Sequence, residues 1–397
     1  MASTPSSNPV RPAPTDPDVA DRDWTDWRWQ LRHRIRDLDA LERAFVLTPD
    51  EREAVRRRRG ALPLGITPYY ARLIDRENPD DPLRRTMIPR LDEYVVSPGE
   101  RRDPLGEEDH QVVPGLIHTY PEKVLFLVTD FCATYCRYCT RSRMVGAGEL
   151  HPDRRTWEAA LDYIAGDPRI RDVLLSGGDP LTLSDDRLGS LLERLRRIPH
   201  VELVRIGTKI PAVLPQRITD ELVSRLRQFH PLWMSIHFTH PTELTPEVAD
   251  ACDRIASAGI PMVAQTVLLA GVNDDPETMK DLVNGLLRIR VKPYYLHQCD
   301  SVEGTSHFRT PVDRGIELIR GLHGRVTGYA VPLYMIDAPG GGGKVPVAPD
   351  YIVGRDGDDL LLENYEGKTY RYHDPGSCLG SEMGPYQPPL AKKTRRA

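Results

Sequence analysis

From residue 122 onward the chain alternates short β-branched runs with amphipathic helical stretches, and this alternation restricts its fold more than any other feature. The predicted strands are "VLFLVTD", "DVLLS", "LVRIG", "LWMSIHF", "MVAQTVLL", "KPYYLHQ" and "VPLYMID". Between them lie "RTWEAALDYIAG", "DDRLGSLLERLRRIP", "DELVSRLRQFH", "PEVADACDRIASAG", "ETMKDLVNGLLRIR" and "VDRGIELIRGLHG", most with apolar residues at i, i+3 and i+4. Strict β/α alternation implies a parallel sheet. Six units and a closing strand fit an incomplete (β/α)6-type barrel better than a doubly wound sheet, which spacing by itself leaves open. Either architecture places chemistry at the carboxyl ends of the strands.

That rule gathers polar residues at one rim. Cys132, Cys136 and Cys139 follow the first strand, and Gly177, Gly178 and Asp179 follow the second. His237 ends the fourth, Gln265 lies in the fifth, Asp300 follows the sixth and Asp337 ends the last.

The rest of the chain is organised around this unit. Residues 1–22 are rich in Pro, Ser, Ala and Asp and read as a disordered tail. Residues 23–115 mix helical segments with proline-rich connections and predict a helical N-terminal region. Residues 116–345 form the barrel. Residues 346–397 form a C-terminal extension whose end, "KKTRRA", reads as a mobile, solvated tail, as does the basic run "VRRRRG". A net charge of −5 gives none of the basic excess of a nucleic-acid binder. There is no apolar run of membrane-spanning length and no secretion segment, so no membrane association and a cytoplasmic location are expected. Six cysteines, half of them in one cluster, argue for a metal or redox site over a disulfide framework.

Three thiols spaced CxxxCxxC can each ligate one iron of a cubane, leaving the fourth iron open. A structural zinc would want a fourth Cys or His close by, and none is evident. Cys252 and Cys299 read as buried packing thiols, and Cys378 is the sixth cysteine. A second signal is "DAPGGGGKVPVAPDY", in which Lys344 follows four glycines. It is no phosphate loop, because Val345 stands where Ser or Thr is required. A solvated glycine loop remains open. So does a backbone that approaches a planar cofactor while Lys344 forms a Schiff base.

CxxxCxxC after the first strand of such a barrel resembles the radical S-adenosylmethionine (SAM) superfamily, and the "GGDP" stretch resembles that family's glycine-rich motif. Together with Lys344, and with "ITPYYARLID", "VLPQRIT", "GVND", "KPYYLHQCD" and "HFRTPV", the chain resembles the lysine 2,3-aminomutase family from about "DWTDWRWQLRHRI" to "GGGGKVPVAPDY". The resemblance implies a radical SAM barrel and an isomerase that moves an amino group from Cα to Cβ. It implies a 4Fe-4S cluster on Cys132, Cys136 and Cys139, SAM near Gly177, Gly178, Asp179, His237 and Gln265, and pyridoxal phosphate on Lys344. It further implies that Arg141 grips the substrate carboxylate and that Asp300 and Asp337 hold the distal ammonium of lysine. An electron donor such as flavodoxin or ferredoxin and a homo-oligomer are also expected.

The sequence departs from that family where two phosphate-contacting arginines fall at Thr119 and Lys123. The cysteines of a zinc site found in some members are missing too, with Asp275 in the "GVND" loop and Cys378 alone near the C-terminus. Arginine, glutamate or a protein-bound lysine remain open as substrates. A non-catalytic iron-sulfur redox protein would need the three cysteines but neither Gln265 nor Lys344.

Overall fold

The computed structural model describes residues 21–57, 62–146 and 152–374. Residues 1–20 of the expected 1–22 tail, residues 58–60 of the basic run, the "KKTRRA" end and Cys378 lie outside the described residues, whereas Val55–Arg57, expected in a solvated run, end the helix Pro49–Arg57 with Val55 buried.

Ten strands form one sheet whose order follows the chain: β1 (Gln111–Val113), β2 (Leu116–Tyr120), β3 (Lys123–Thr129), β4 (Asp172–Gly177), β5 (Leu203–Thr208), β6 (Leu232–Ile236), β7 (Met262–Leu268), β8 (Lys292–Gln298), β9 (Leu333–Ala338) and β10 (Gly343–Pro346). β3 to β9 are parallel, and they are the seven strands that the hydrophobic runs predicted. Each parallel step is crossed by a helix: Arg154–Gly166, Asp185–Arg196, Asp220–Leu226, Pro246–Ser257, Pro276–Arg288 and Val312–Leu322. Five of these begin at a side-chain cap, in which Asp153, Ser184, Thr219, Thr245 or Asp275 accepts a backbone N–H of the first turn.

Alternation along the strands sorts the two faces. Val124, Phe126, Val128, Val173, Leu175, Val204, Ile206, Met234 and Ile236 are buried with the apolar faces of the helices in one core. Each such side chain contributes about 1.5–3 kcal/mol on leaving water. The intervening residues face the lumen, which keeps the polar groups of β7 to β9 out of that core.

The sequence did not show how this open barrel ends. Antiparallel pairs flank the parallel strands, β1–β2 on one side and β10 on the other. The two ends meet without strand pairing, where the Lys344 backbone N–H donates to Tyr120 Oη at 2.8 Å. The glycine stretch is therefore a tight turn between β9 and β10, with Gly340, Gly341 and Gly343 at φ of 70°, 84° and 78°. Only glycine takes these angles without strain.

The N-terminal region holds short helices such as Leu38–Ala44, Pro49–Arg57 and Pro82–Met87, with the β1 hairpin at its end. It buttresses the cysteine loop: Tyr135 N–H donates to Gly65 O at 3.1 Å, Arg137 N–H to Thr86 O at 2.9 Å, and Arg34 Nη1 to the Cys132 carbonyl at 2.7 Å. Arg137 is also ion-paired with Glu93. In the C-terminal extension, β11 (Ile352–Asp356), β12 (Asp359–Glu363) and β13 (Thr369–His373) form a separate antiparallel sheet.

Candidate active site at the strand ends

The loop after β3 carries the three cysteines, all with free thiols. Cys132 and Cys139 pack with Leu62, Tyr135 and Val145, while Cys136 packs against the main core. Burial pushes all three thiols up, helped by Asp179 at Cys132 and by the neighbouring Cys136 at Cys139, which is raised to about 11. Three crowded thiols in a low-dielectric loop resist ionising unless a cation compensates them, and a cluster with cationic irons supplies that compensation. Among the described residues no His, Cys, Asp or Glu side chains converge on one point as ligands of a single ion would. A cubane asks for something different, one thiolate on each of three irons. The donor set therefore fits a 4Fe-4S cluster.

The Gly-Gly-Asp stretch locks this loop onto β4. Gly177 has φ 106°, and a Cβ on it would stand 2.3 Å from Thr129 O; one on Gly178 would stand 2.4 Å from Phe131 O. Gly178 and Asp179 N–H donate to the same two carbonyls, at 2.6 and 2.9 Å. Asp179, expected against SAM, is engaged by the chain itself. Its Oδ1 accepts from Thr208 Oγ1 at 2.7 Å and Leu181 N at 3.1 Å, and its Oδ2 from Lys209 N at 2.7 Å and Ile210 N at 3.2 Å. Both oxygens are taken up by the chain's own donors, so this carboxylate fixes the β4 and β5 loops to each other.

His237 immediately follows β6, and Gln265 lies mid-β7 between the buried residues Ala264 and Thr266, placing it on the lumen side. Burial first, then Lys209, His297, Arg141 and Lys344, push the His237 imidazole down to about 3. It is a neutral hydrogen-bonding ring at physiological pH.

β8 and β9 bring together Asp300 and Asp337, the groups expected to meet the substrate. Thr140, beside Cys139, donates to Asp300 Oδ2 at 2.7 Å. Burial, and then the Asp337 charge, push Asp300 up to about 6. Burial also opposes the Asp337 charge, but the His297 hydrogen bond and the Lys344 cation prevail and hold this carboxyl down to about 2. His297 Nδ1 lies 3.3 Å from Asp337 Oδ2, and Lys344 Nζ lies 2.7 Å from the same oxygen. The β9–β10 register sets the last contact, since Lys344 pairs directly with Asp337.

Lys344 thus sits at the barrel mouth beside Tyr120, with the Lys123 ammonium 3.9 Å above the Tyr120 ring and Arg205 Nε 2.8 Å from Asp172 Oδ1 on neighbouring strands. A lysine on a rigid hairpin next to a lumen lined with cations suits a phosphorylated aldehyde cofactor. Thr119 makes no side-chain hydrogen bond among the described residues. Arg141 is engaged by Glu107, with Nη2 at 2.6 Å from Oε1 and Nε at 3.2 Å from Oε2. Cys252 and Cys299 are buried, as expected of packing thiols.

Sequence reasoning missed His297, Thr140, Tyr120 and Glu107. His297 had a signal, because "YLHQCD" places it three residues before Asp300 on a strand. Glu107 had none, since its partner lies across an irregular loop.

Residues 126–283 match the radical SAM superfamily model and residues 319–396 match the model described as lysine-2,3-aminomutase. The chain is 50% identical to L-lysine 2,3-aminomutase of Acetoanaerobium sticklandii over 357 residues, 90% of this chain and 86% of that protein. It is 49% identical to L-lysine 2,3-aminomutase of Clostridium subterminale over 358 residues, 90% of this chain and 86% of the relative. Glutamate 2,3-aminomutase of Clostridioides difficile is 42% identical over 354 residues, 89% of this chain and 84% of the relative. Radical SAM enzymes carry a 4Fe-4S cluster and SAM, and lysine 2,3-aminomutases use pyridoxal phosphate as well. With 90% of its length shared at that identity, and with the cysteine loop, the Gly-Gly turn and the lysine hairpin all at one rim, the chain belongs to the lysine 2,3-aminomutase family of radical SAM isomerases.

Proposed function

We propose that this chain interconverts L-lysine and β-lysine. The observation that carries the reading is the pair Asp300 and Asp337 at neighbouring strand ends, electrostatically coupled and both close to Lys344. Two carboxylates in a low-dielectric lumen repel each other unless a cation lies between them. An ammonium tail supplies that cation, and the side chain of glutamate would add a third negative charge.

Each residue then has a task. Arg141 binds the substrate carboxylate with its planar fork. Asp300 and Asp337 fix the distal ammonium, so the substrate is stretched between the two ends and one β-hydrogen is presented. Cys132, Cys136 and Cys139 hold the cluster. Gly177 and Gly178 let the cysteine loop pack on β4 beside where SAM would bind, and His237 and Gln265 offer it hydrogen-bonding groups. Lys344 would anchor pyridoxal phosphate, and Lys123 offers a cation for its phosphate. When bound, these groups supply a carbon radical that removes the hydrogen and a π-system across which nitrogen migrates. Reducing equivalents come from a small electron donor such as flavodoxin or ferredoxin.

The test is anaerobic turnover of reconstituted enzyme on lysine, arginine and glutamate side by side. Lysine is expected to be converted with the highest kcat/KM. Preference for arginine overturns the substrate and keeps the reaction type, while activity on glutamate alone overturns the role of the two aspartates.

A further inference from the structure

Arg141 is already held by the chain itself. Glu107, only 5% exposed, takes the side edge of the guanidinium, Nε and Nη2, in a bidentate contact. The end edge, formed by Nη1 and the outer N–H of Nη2, has no partner among the described residues. A guanidinium offers two such edges to carboxylates, and occupying one fixes the direction of the other.

Glu107 is itself firmly placed. Its Oε2 also lies 3.3 Å from Arg143 Nη2, and Arg143, whose side chain is 3% exposed, is paired at 3.2 Å with Asp103. These acids belong to a strap, residues 100–110, that crosses the barrel mouth. At one end Arg101 N–H donates to Ser301 O at 2.9 Å and Glu303 N–H to Arg101 O at 3.2 Å, beside Asp300. In the middle, Pro104 O accepts from Gly340 N–H at 2.9 Å, on the turn that carries Lys344. Gly106 lies against the same turn so closely that a Cβ on it would be 3.1 Å from the Gly340 carbonyl carbon. The strap thus spans the loop bearing one ammonium-binding group, the hairpin bearing the cofactor lysine, and the guanidinium assigned to the substrate carboxylate.

We propose that Glu107 is a positioning residue for the substrate carboxylate: it clamps Arg141 by its side edge so that the end edge faces the lumen. The inference rests on the reading of Arg141 under Proposed function. Two effects of Glu107 oppose each other. Its charge partly neutralises Arg141, which weakens attraction for a second carboxylate, while its reach fixes the fork, which strengthens it. Arg143, shared with Asp103 and Glu108, offsets only part of the Glu107 charge, and the proposal is that orientation outweighs what remains.

The experiment uses holoenzyme and reads the change in cofactor absorbance on titration with lysine and with 1,5-diaminopentane, which is lysine without its carboxylate. Glu107→Asp keeps the charge and shortens the arm by one carbon. The expected result is a Kd for lysine about tenfold higher, a Kd for diaminopentane within about twofold of wild type, and a larger change in KM than in kcat. Equal weakening of both ligands would mean that the strap has merely loosened and overturns the proposal. Glu107→Gln keeps the shape but turns a donor toward Nε. It should also weaken lysine, and if it tightens lysine instead, Glu107 is only a competing anion and the proposal fails. Arg141→Met separates the two readings. If it leaves lysine affinity unchanged, the carboxylate role of Arg141 falls and this inference with it. If it weakens lysine while Glu107→Asp does not, only the role of Glu107 falls.

Discussion

Lys344 Nζ lies 2.8 and 2.7 Å from the two carboxylate oxygens of Asp337, its direct cross-strand partner on the β9–β10 hairpin. The residue assigned to the cofactor and a residue assigned to the substrate cation therefore neutralise each other in the protein alone. Once Lys344 is committed to pyridoxal phosphate, Asp337 is left with His297 and is free to receive the ammonium of lysine. On the roles proposed above, cofactor loading and substrate recognition would be coupled through this one carboxylate.

A first prediction follows from that coupling. Lys344→Ala should abolish the borohydride-trappable cofactor adduct while leaving iron content at wild-type level, because the hairpin and the cysteine loop are separate elements. A trapped adduct that survives in the variant would move the anchor to another lysine, with Lys292 the first to test.

Cys136→Ser addresses the cluster. Anaerobic reconstitution of the wild type should give about four irons per chain, and the serine variant should lose SAM cleavage, because one iron of the cubane then lacks its thiolate. Zinc in place of iron, or cleavage at the wild-type rate, would refute the cluster assignment.

The glycine turn after β4 makes a prediction about packing. Gly178→Ala places a Cβ 2.4 Å from Phe131 O, a backbone atom that cannot rotate away. The loop carrying Cys132 must shift, and we expect a loss of about 1–3 kcal/mol of stability with iron incorporation reduced. Thermal unfolding and iron analysis check this. Ala at Gly166, where a Cβ would meet nothing within 4 Å, is the control and should leave iron content unchanged.

Much of this architecture was legible because periodicity is local. The seven parallel strands and their helices follow from runs of apolar residues, and the cysteine spacing follows from chemistry that tolerates little variation. The closure of the barrel was not legible. The contact of Tyr120 Oη with the Lys344 N–H joins residues 224 apart through a hairpin and a glycine turn, neither of which has a strong pattern. The internal role of Asp179 was not legible for a similar reason: a motif aspartate suggests a ligand contact, and only the fold reveals four internal donors around it. Glu107 was invisible as a site residue because its partner, Arg141, lies across an irregular loop, whereas the position of His297 ahead of Asp300 was a signal left unread.

The last prediction uses the separation of the two aspartates in proton affinity. In the cofactor-free protein Asp337, held down by His297 and Lys344, is ionised throughout the working range, whereas Asp300 is pushed up to about 6 by burial and by the Asp337 charge. Lysine binding needs both carboxylates ionised, so affinity should fall as pH drops through about 6, and Asp300→Asn should flatten that dependence while raising KM by about tenfold. The same shift has the opposite sign for stability of the cofactor-free protein. A carboxyl whose folded pKa lies above its unfolded value of 3.8 contributes stability below pH 3.8 that is lost as pH rises through about 6. At pH 8 the ionised Asp300 then costs up to roughly 3 kcal/mol. Asp300→Asn should therefore melt higher than wild type at pH 8, with the difference shrinking toward pH 4, although it binds lysine less well. Thermal melts of both proteins across pH 4–8, paired with lysine titrations of the holoenzymes, decide the matter: a melting difference that does not change with pH would show that Asp300 titrates normally and would remove the basis for the predicted pH dependence of lysine binding.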